Sequence, residues 1–530
     1  MPNRGGELNP ATILELAAHR YPEKEALATP GERLTYGQWN RRVKAVALGM
    51  LKAGIKPGDR VALCCFNGEP PATVYFAAHQ LGAVAVWLNP RWKRGELAYA
   101  LREADIKAIL ADRETAAEAA AALGLAQRED LLLILTEDSG PWDDAQRRVY
   151  YSDLIKGGPG ERELPLPRKR PDTEISTVLY TSGTTGRPKG VARTGRSDYY
   201  SAMALILEHR WQRFERTLSI MPFCHTMGLH TLLSMVLLNG TSVILPKADP
   251  SECLQMIQSE SITALYLVPT VFHDLVRHIE ACGAGEVPVP RLAFAGAPMP
   301  AALVKQCRDL FRPEVFVNQY GCTEMLVLAV NPDLERLPTS CGRPALNSRL
   351  IIAAAGNGRS TPGPGKPLPP RQVGEILVDA TLPQAFAGYL NRPEETRRVM
   401  HEGWYRTGDL GYFDNHGNLY LVGRVDDMII SGGENIYPRE VEEVLGSHPL
   451  VEEAAVFGLP ERRWGELVAA AVVSRSGELT GSDLEEHCLN HPLLAKYKRP
   501  RRYFFVHRIP KSSSGKILYK ELRKQFAERS

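Results

Sequence analysis

Apolar residues fall into two alternating rhythms along the first hundred positions. Over residues 34–53, Trp39, Val43, Val46, Leu48 and Leu51 recur at helical spacing, and Gly58-Asp59 then turns the chain into the unbroken run Val61-Ala62-Leu63-Cys64-Cys65-Phe66. The same alternation predicts helices near 72–81 and 95–104 and apolar strands at 83–88 and 106–111. Unbroken apolar strands between amphipathic helices are what a sheet covered on both faces requires, so the fold class is α/β with buried sheets. The alanine-rich stretch 116–122 reads as a surface helix.

Further along, the glycine- and proline-rich segment 356–372 reads as a loop or hairpin connection between apolar runs at 350–352 and 375–378. A short strand at 418–422 is interrupted by Gly423-Arg424-Val425-Asp426-Asp427. Then come a strand at 428–430, a turn at Gly432-Gly433 and a helix opening at Pro438, with the stripe Val441, Val444, Leu445 ending at Gly446. The last hundred residues hold their own strands, at 454–457 and 468–473, and helices. A boundary near Asp426 is therefore expected. It separates a large multi-subdomain N-terminal domain (1–425) from a small α+β C-terminal domain (426–530).

At 530 residues, 44% apolar and 24% charged, the chain has the composition of a multi-domain globular protein. A net charge of +3 with interspersed signs gives no bulk reason to expect nucleic acid as a partner. Nine scattered cysteines without a C-x-x-C spacing argue against a disulfide scaffold or zinc ribbon, so a reducing compartment, the cytoplasm, is expected. Residues 1–16 lack a secretory-signal pattern, and the most apolar stretch, 231–245, is broken by Asn239-Gly240 and too short to span a membrane.

The densest chemistry lies in Thr181-Ser182-Gly183-Thr184-Thr185-Gly186-Arg187-Pro188-Lys189-Gly190, where eight of ten residues are Gly, Ser, Thr or Lys. Bare backbone N–H groups, hydroxyls and an ammonium suit a polyphosphate. The order is not that of a Walker A loop, because Lys189 stands between Pro188 and Gly190. The string resembles the phosphate loop of the adenylate-forming superfamily, which includes acyl-CoA synthetases, peptide-synthetase adenylation domains and luciferases. The superfamily's other landmarks follow in order to the C-terminus. Ala295-Gly296-Ala297-Pro298 is similar to the segment along adenine and the acyl group. In Tyr320-Gly321-Cys322-Thr323-Glu324 the resemblance implies that Tyr320 stacks on adenine, Thr323 bonds a phosphate and Glu324, with Thr184, holds Mg²⁺. Asp409 resembles the acceptor of both ribose hydroxyls, Arg424 the arginine at ribose and phosphate, and Asp426 the hinge. Lys516, in Lys511-Ser512-Ser513-Ser514-Gly515-Lys516, resembles the catalytic lysine of adenylation.

The resemblance is nearest to aryl-CoA synthetases of the chlorobenzoate type. It implies ATP, Mg²⁺ and coenzyme A, and activation of a carboxylic acid as an acyl-adenylate before transfer to the CoA thiol, by a monomer or homodimer. It further implies that the C-terminal domain swings about Asp426 between the steps, bringing Ser431-Gly432-Gly433 beside the pantetheine. Arg91, Arg499 and Arg501 would meet CoA phosphates, and Trp464 and Tyr497 would flank its adenine. His225, in Met221-Pro222-Phe223-Cys224-His225-Thr226-Met227-Gly228, follows the ligase pattern rather than the amino-acid-activating one. Phe223, His225, Met227, Leu229, Gly321, Cys322 and Met325 would give an apolar acyl pocket, for an aryl acid ahead of a medium-chain one. Cys224 and Cys322 depart from the residue types relatives often carry there. The alternatives are a carrier protein or amine as acceptor, an inactive nucleotide-binding homologue, and a luciferase-like oxygenase.

Overall fold

The computed structural model describes residues 8–137, 147–156, 169–181, 188–354, 367–432, 434–492, 494–511 and 517–527. Two mainly parallel sheets carry the larger part. In the eight-stranded sheet the parallel centre runs, in spatial order, Ile175–Thr181, Val84–Trp87, Arg60–Cys64, Ile106–Ala111, Leu132–Leu135 and Arg148–Tyr150. Lys189–Thr194 turns back antiparallel on Ile175–Thr181, with Thr181 opposite Lys189, and Gly388–Tyr389 pairs on its far side. In the nine-stranded sheet the parallel centre is Val315–Tyr320, Arg291–Ala295, Ala264–Leu267, Arg216–Ser219, Thr241–Ile244 and Glu25–Ala28. Strands such as Val84–Trp87, Leu132–Leu135 and Ala264–Leu267 are buried at every position, which is why their sequence shows no alternation.

The helix Glu69–Leu81 is buried on almost all sides. It starts earlier than the apolar spacing suggests, because two prolines fit a first turn whose N–H groups have no intrahelical partner. The helix Ala116–Ala126 is more than a surface helix. Ala116, Ala119, Ala122, Leu123 and Ala126 form a buried stripe against the helix Arg94–Glu103. The apolar stretch near 231–245 divides at Asn239, whose left-handed φ of 50° ends the helix Thr226–Leu238 before the strand Thr241–Ile244. Among the described residues no helix is long and apolar enough to cross a membrane.

A third sheet is antiparallel: Leu350–Ala353, Gly374–Asp379, Trp404–Phe413 and Met400–His401, with Leu419–Arg424 paired on Trp404–Phe413. The expected 356–372 connection joins its first two strands, although 355–366 lie outside the described residues. A single turn at Val425–Asp427 leads into the fourth sheet, built from Ile429–Ser431, Glu434–Ile436, the hairpin Val451–Glu461/Gly465–Ser474, and Arg502–Phe505. That hairpin is longer at both ends than the apolar runs 454–457 and 468–473 that announce it. The C-terminal helix Tyr519–Ala527 folds back on the turn, where Arg523 donates to the carbonyl oxygens of Asp426 and Asp427, each at 3.2 Å.

Candidate active site

Parallel sheets offer their ligand crevice at the carboxyl ends of the strands. The motif residues Gly296, Ala297 and Pro298 follow Arg291–Ala295 at that end, with Gly296 at φ 89°. Next to it, Val315–Tyr320 delivers Tyr320, Gly321 and Cys322, since Ala295 is in register with Gln319. A side chain at Gly321 would place its Cβ 1.6 Å from the Leu326 carbonyl oxygen, so the 321–326 loop closes only around glycine. Thr181 is the last described residue before the expected phosphate loop. Ser182, Gly183, Thr184, Thr185 and Gly186 lie outside the described residues, as do Gly433 and Lys516. Lys511 and Ile517 pair across the segment that contains Lys516.

Three distant motifs meet at Asp409. Tyr320 Oη donates to its Oδ2 at 2.6 Å, and Arg424 Nη1 donates to its Oδ1 at 2.7 Å. Burial, then the Asp409 charge, push the Tyr320 phenol well above its usual value, so it remains a donor. Gly408 has φ 71°, and a Cβ there would stand 3.0 Å from the Arg424 guanidinium, so glycine admits the arginine. Each carboxylate oxygen has further lone-pair capacity for a diol. The structure thus joins Tyr320 to Asp409 directly through its hydroxyl.

Glu324 is 9% exposed, and its Oε1 accepts from Tyr389 Oη at 2.8 Å. Its main chain is held too, with Phe386 N donating to the Glu324 carbonyl at 3.0 Å. Among the described residues no group of three or more His, Cys, Asp and Glu side chains gathers as a protein-built metal cage. One pinned carboxylate fits the expected Mg²⁺, which takes most of its oxygens from phosphate and water.

Lys189 Nζ is paired with Glu395 Oε2 at 3.0 Å and stands 5.0 Å from the centre of the Tyr389 ring. Glu395 comes from the helix Pro393–Val399 and also accepts from Arg392 Nη1 at 2.8 Å. Arg392 in turn donates to the Pro188 carbonyl at 2.8 Å and to Glu103 Oε1 at 2.6 Å. Burial pushes the Glu395 carboxyl up, but Lys189 and Arg392 outweigh it and hold it ionised below the usual value. None of these partners carried a sequence signal, and Lys189 is already engaged by Glu395.

His225 occupies the N-cap position of the helix Thr226–Leu238, with extended backbone and no side-chain hydrogen bond into the first turn. Its segment is fixed by Asn67, a residue with no motif around it, which accepts from Phe223 N at 2.9 Å and donates to the Met221 and Ser219 carbonyls at 2.8 and 3.2 Å. Of the expected acyl-pocket residues, Phe223 and Leu229 pack in one hydrophobic core, Met227 in a second and Met325 in a third. His225, Gly321 and Cys322 are partly exposed. Phe223, Leu229 and Met325 therefore belong first to the cores beneath the site. Burial pushes the Cys224 thiol up to about 12, against the pull of Arg91.

Among the expected CoA residues, Gly432, Trp464 and Arg501 come together. Gly432 N donates to the Trp464 carbonyl at 2.8 Å, and a Cβ on Gly432 would touch the indole at 2.8 Å. The guanidinium groups of Arg463 and Arg501 lie 4.7 and 5.4 Å from the Trp464 ring centre. Arg463 was not expected there; an Arg-Trp dipeptide was its only signal. Ser431 stands opposite Gly465, and Tyr497 is 45% exposed. Arg499 does not join Trp464: it donates to Glu485 Oε1 at 2.8 Å and to the Lys496 carbonyl at 2.9 Å, because an acidic helix, Gly481–Asn490, faces it. Arg91 is exposed, on the loop after Val84–Trp87.

The sequence model of the AMP-binding enzyme family matches residues 14–390, and that of the AMP-binding enzyme C-terminal domain matches residues 440–516. The chain belongs to the AMP-binding enzyme family. Within that family, a 4-chlorobenzoate–CoA ligase from an Arthrobacter species is 33% identical over 519 residues, 96% of this chain and 94% of that protein. A feruloyl-CoA synthase from an Amycolatopsis species is 35% identical over 515 residues, 96% of this chain and 97% of that protein. Among solved structures, the o-succinylbenzoate CoA synthetase of Bacillus subtilis, in complex with an acyl-adenylate intermediate, matches with a TM-score of 0.82 at 28% identity. It covers 96% of this chain and 97% of that one. The α/β architecture and the adenylate-forming resemblance read from the sequence both stand.

Proposed function

We propose that the chain is an AMP-forming carboxylate–CoA ligase that activates an aryl acid with ATP and passes the acyl group to coenzyme A. The observation that carries the reading is the Asp409 carboxylate held between Tyr320 and Arg424, a diol acceptor next to the carboxyl end of the strand Val315–Tyr320. The aryl acid and the CoA acceptor draw support from relatives named for chlorobenzoate, succinylbenzoate and ferulate. A cytoplasmic setting agrees with nine cysteines that are all free thiols.

In this reading Asp409 and Arg424 hold the ribose, and Gly296, Ala297 and Pro298 line the adenine. The substrate carboxylate must approach an α-phosphate that is already anionic. Lys516 bridges the two anions, and its contact strengthens as charge builds on the phosphate oxygens. The α-phosphorus–oxygen bond to pyrophosphate breaks as the carboxylate–phosphorus bond forms, and Lys189 with the loop hydroxyls neutralises the departing charge. Glu324 and Thr184 would hold Mg²⁺, which when bound supplies further charge neutralisation at the phosphates. The CoA thiol then attacks the acyl carbonyl and AMP leaves. Positioning and electrostatics carry both steps, with no covalent enzyme intermediate. A two-domain division at Asp426, with a swing about it, is supported by the single turn at Val425–Asp427 and by the absence of any described strand pairing across it.

The test is pyrophosphate release with Mg²⁺-ATP across benzoates, cinnamates and straight-chain acids, with and without CoA. Aryl-acid-dependent release, with thioester formed when CoA is present, is expected. Release without thioester moves the acceptor to a carrier protein or an amine, and no release with any acid refutes the ligase. Lys516→Ala should slow adenylation by roughly 10²–10³ and spare thioester formation from supplied acyl-adenylate. Equal loss in both half-reactions contradicts its role.

A further inference from the structure

Beneath the nucleotide crevice lies a charged cluster that the ligase reading does not use. Arg193, Asp198 and His230 have relative exposures of 0%. Arg193 Nε donates to Asp198 Oδ1 at 2.6 Å, and Nη2 donates to Ser201 Oγ at 2.8 Å and the Ser197 carbonyl at 3.2 Å. Its Nη1 reaches the other way, to the Thr323 carbonyl at 2.9 Å and the Glu324 carbonyl at 3.5 Å. His230 Nε2 lies 3.0 Å from Asp198 Oδ1, and its Nδ1 lies 2.9 Å from the Thr226 carbonyl, in the first turn of the helix whose N-cap position His225 occupies. Burial pushes the Asp198 carboxyl up, but Arg193 and His230 outweigh it and hold it ionised.

An apolar trio of similar volume would hold the core together as well or better, because buried charge pairs regain little beyond their desolvation cost. What an apolar trio lacks is direction. Arg193 and Lys189 are four residues apart on the strand Lys189–Thr194 and so share its face. From that face Lys189 approaches the Tyr389 ring, Tyr389 grips the Glu324 carboxylate, and Arg193 grips the Thr323–Glu324 main chain. Glu324 is held at both ends.

We infer that Arg193, fixed by Asp198 and His230, is a positioning residue that aims Thr323 and Glu324 at the metal-bound phosphates and ties them to the helix bearing His225. This rests on the ligase reading for the identity of the ligand. Arg193→Lys keeps the charge beside Asp198 but cannot span to Ser201 and Thr323 together. Calorimetric titration with AMP, with ATP plus EDTA and with ATP plus Mg²⁺ separates the contacts. The variant should bind AMP and metal-free ATP within twofold of the parent, lose about tenfold in Mg²⁺-ATP affinity, and need about tenfold more Mg²⁺ for half-maximal pyrophosphate release.

Equal weakening toward AMP and Mg²⁺-ATP would mean a merely structural role and would overturn the inference, as would an unchanged Mg²⁺ requirement. If Arg193→Lys does not fold, Ser201→Ala decides: it removes one tie of Arg193 and should raise the Mg²⁺ requirement about threefold, and no rise overturns the inference. A parent protein that gains no affinity for ATP from Mg²⁺ sinks the ligase reading itself, and this inference with it.

Discussion

The lysine of the phosphate loop is already occupied. Lys189 and Glu395 form an ion pair at 3.0 Å with side chains only 13% and 24% exposed, so in the proposed reading ATP must displace Glu395 before it can use Lys189. Replacing Glu395 with Gln keeps the shape and leaves an amide oxygen for Arg392, which stays anchored on Glu103 and Pro188. The gross attraction at this distance, at an effective dielectric of 20, is about 5 kcal/mol. Most of it is offset by desolvation and by the second cation, Arg392, and exposed pairs measured by double-mutant cycles retain only about 0.2–1 kcal/mol. For a pair this enclosed, about 1 kcal/mol is the expected cost to the nucleotide. Glu395→Gln should therefore lower the KM for Mg²⁺-ATP about fivefold in pyrophosphate release, with the KM for CoA unchanged. In a Lys189→Ala background the same substitution should do nothing, because the pair is already broken. An unchanged or raised KM for ATP in the single variant would refute the idea that Glu395 occupies Lys189 in the empty site.

Three other outcomes follow from particular contacts. Gly228→Ala should cost about 2–3 kcal/mol in denaturant unfolding, since its Cβ would lie 2.2 and 2.4 Å from the carbonyl oxygens of Met221 and Pro222, which are backbone and cannot step aside; a loss under 0.5 kcal/mol would contradict this. Burial raises the Glu442 carboxyl from the ordinary 4.5 to about 7, against hydrogen bonds from Val456 N and Tyr519 Oη at 2.8 Å each. The folded value lies above the unfolded one, so this contribution is complete below about pH 4.5 and is lost as pH rises through 7. Glu442→Gln should remove up to about 3 kcal/mol of that pH dependence, and an unchanged stability profile between pH 5 and 8 would refute it. Maleimide should label Cys282, which is exposed, and Cys322, which is partly exposed, ahead of the seven buried thiols. A non-hydrolysable aryl-adenylate analogue should protect Cys322 alone, and labelling that ignores the bound analogue would remove Cys322 from the acyl pocket.

The buried strands and amphipathic helices were legible because burial on two faces or one writes itself into local spacing, and the runs at 61–66, 83–88 and 106–111 became strands of one parallel sheet. Boundaries shifted where local chemistry overruled spacing, as with the two prolines that open Glu69–Leu81. The motif residues were legible by resemblance. Their partners were not: Asn67, Tyr389, Glu395 and His230 sit in unremarkable surroundings. Arg193 left only a faint trace, as the charge that follows the small and apolar run Gly190-Val191-Ala192, with Lys189 at the run's other end.

By itself, then, the sequence determined the class of fold, the order of the motifs and the chemistry each motif can offer, because those depend on residue type and on neighbours a few positions away. The tertiary structure decided which groups are already engaged. Tyr320 meets Asp409 across 89 residues, Glu324 meets Tyr389 across 65, and Arg193 meets Thr323 across 130. Hydrogen bonds and charges act through distances of a few ångströms in space, and separations of that length along the chain have no period for a sequence to display.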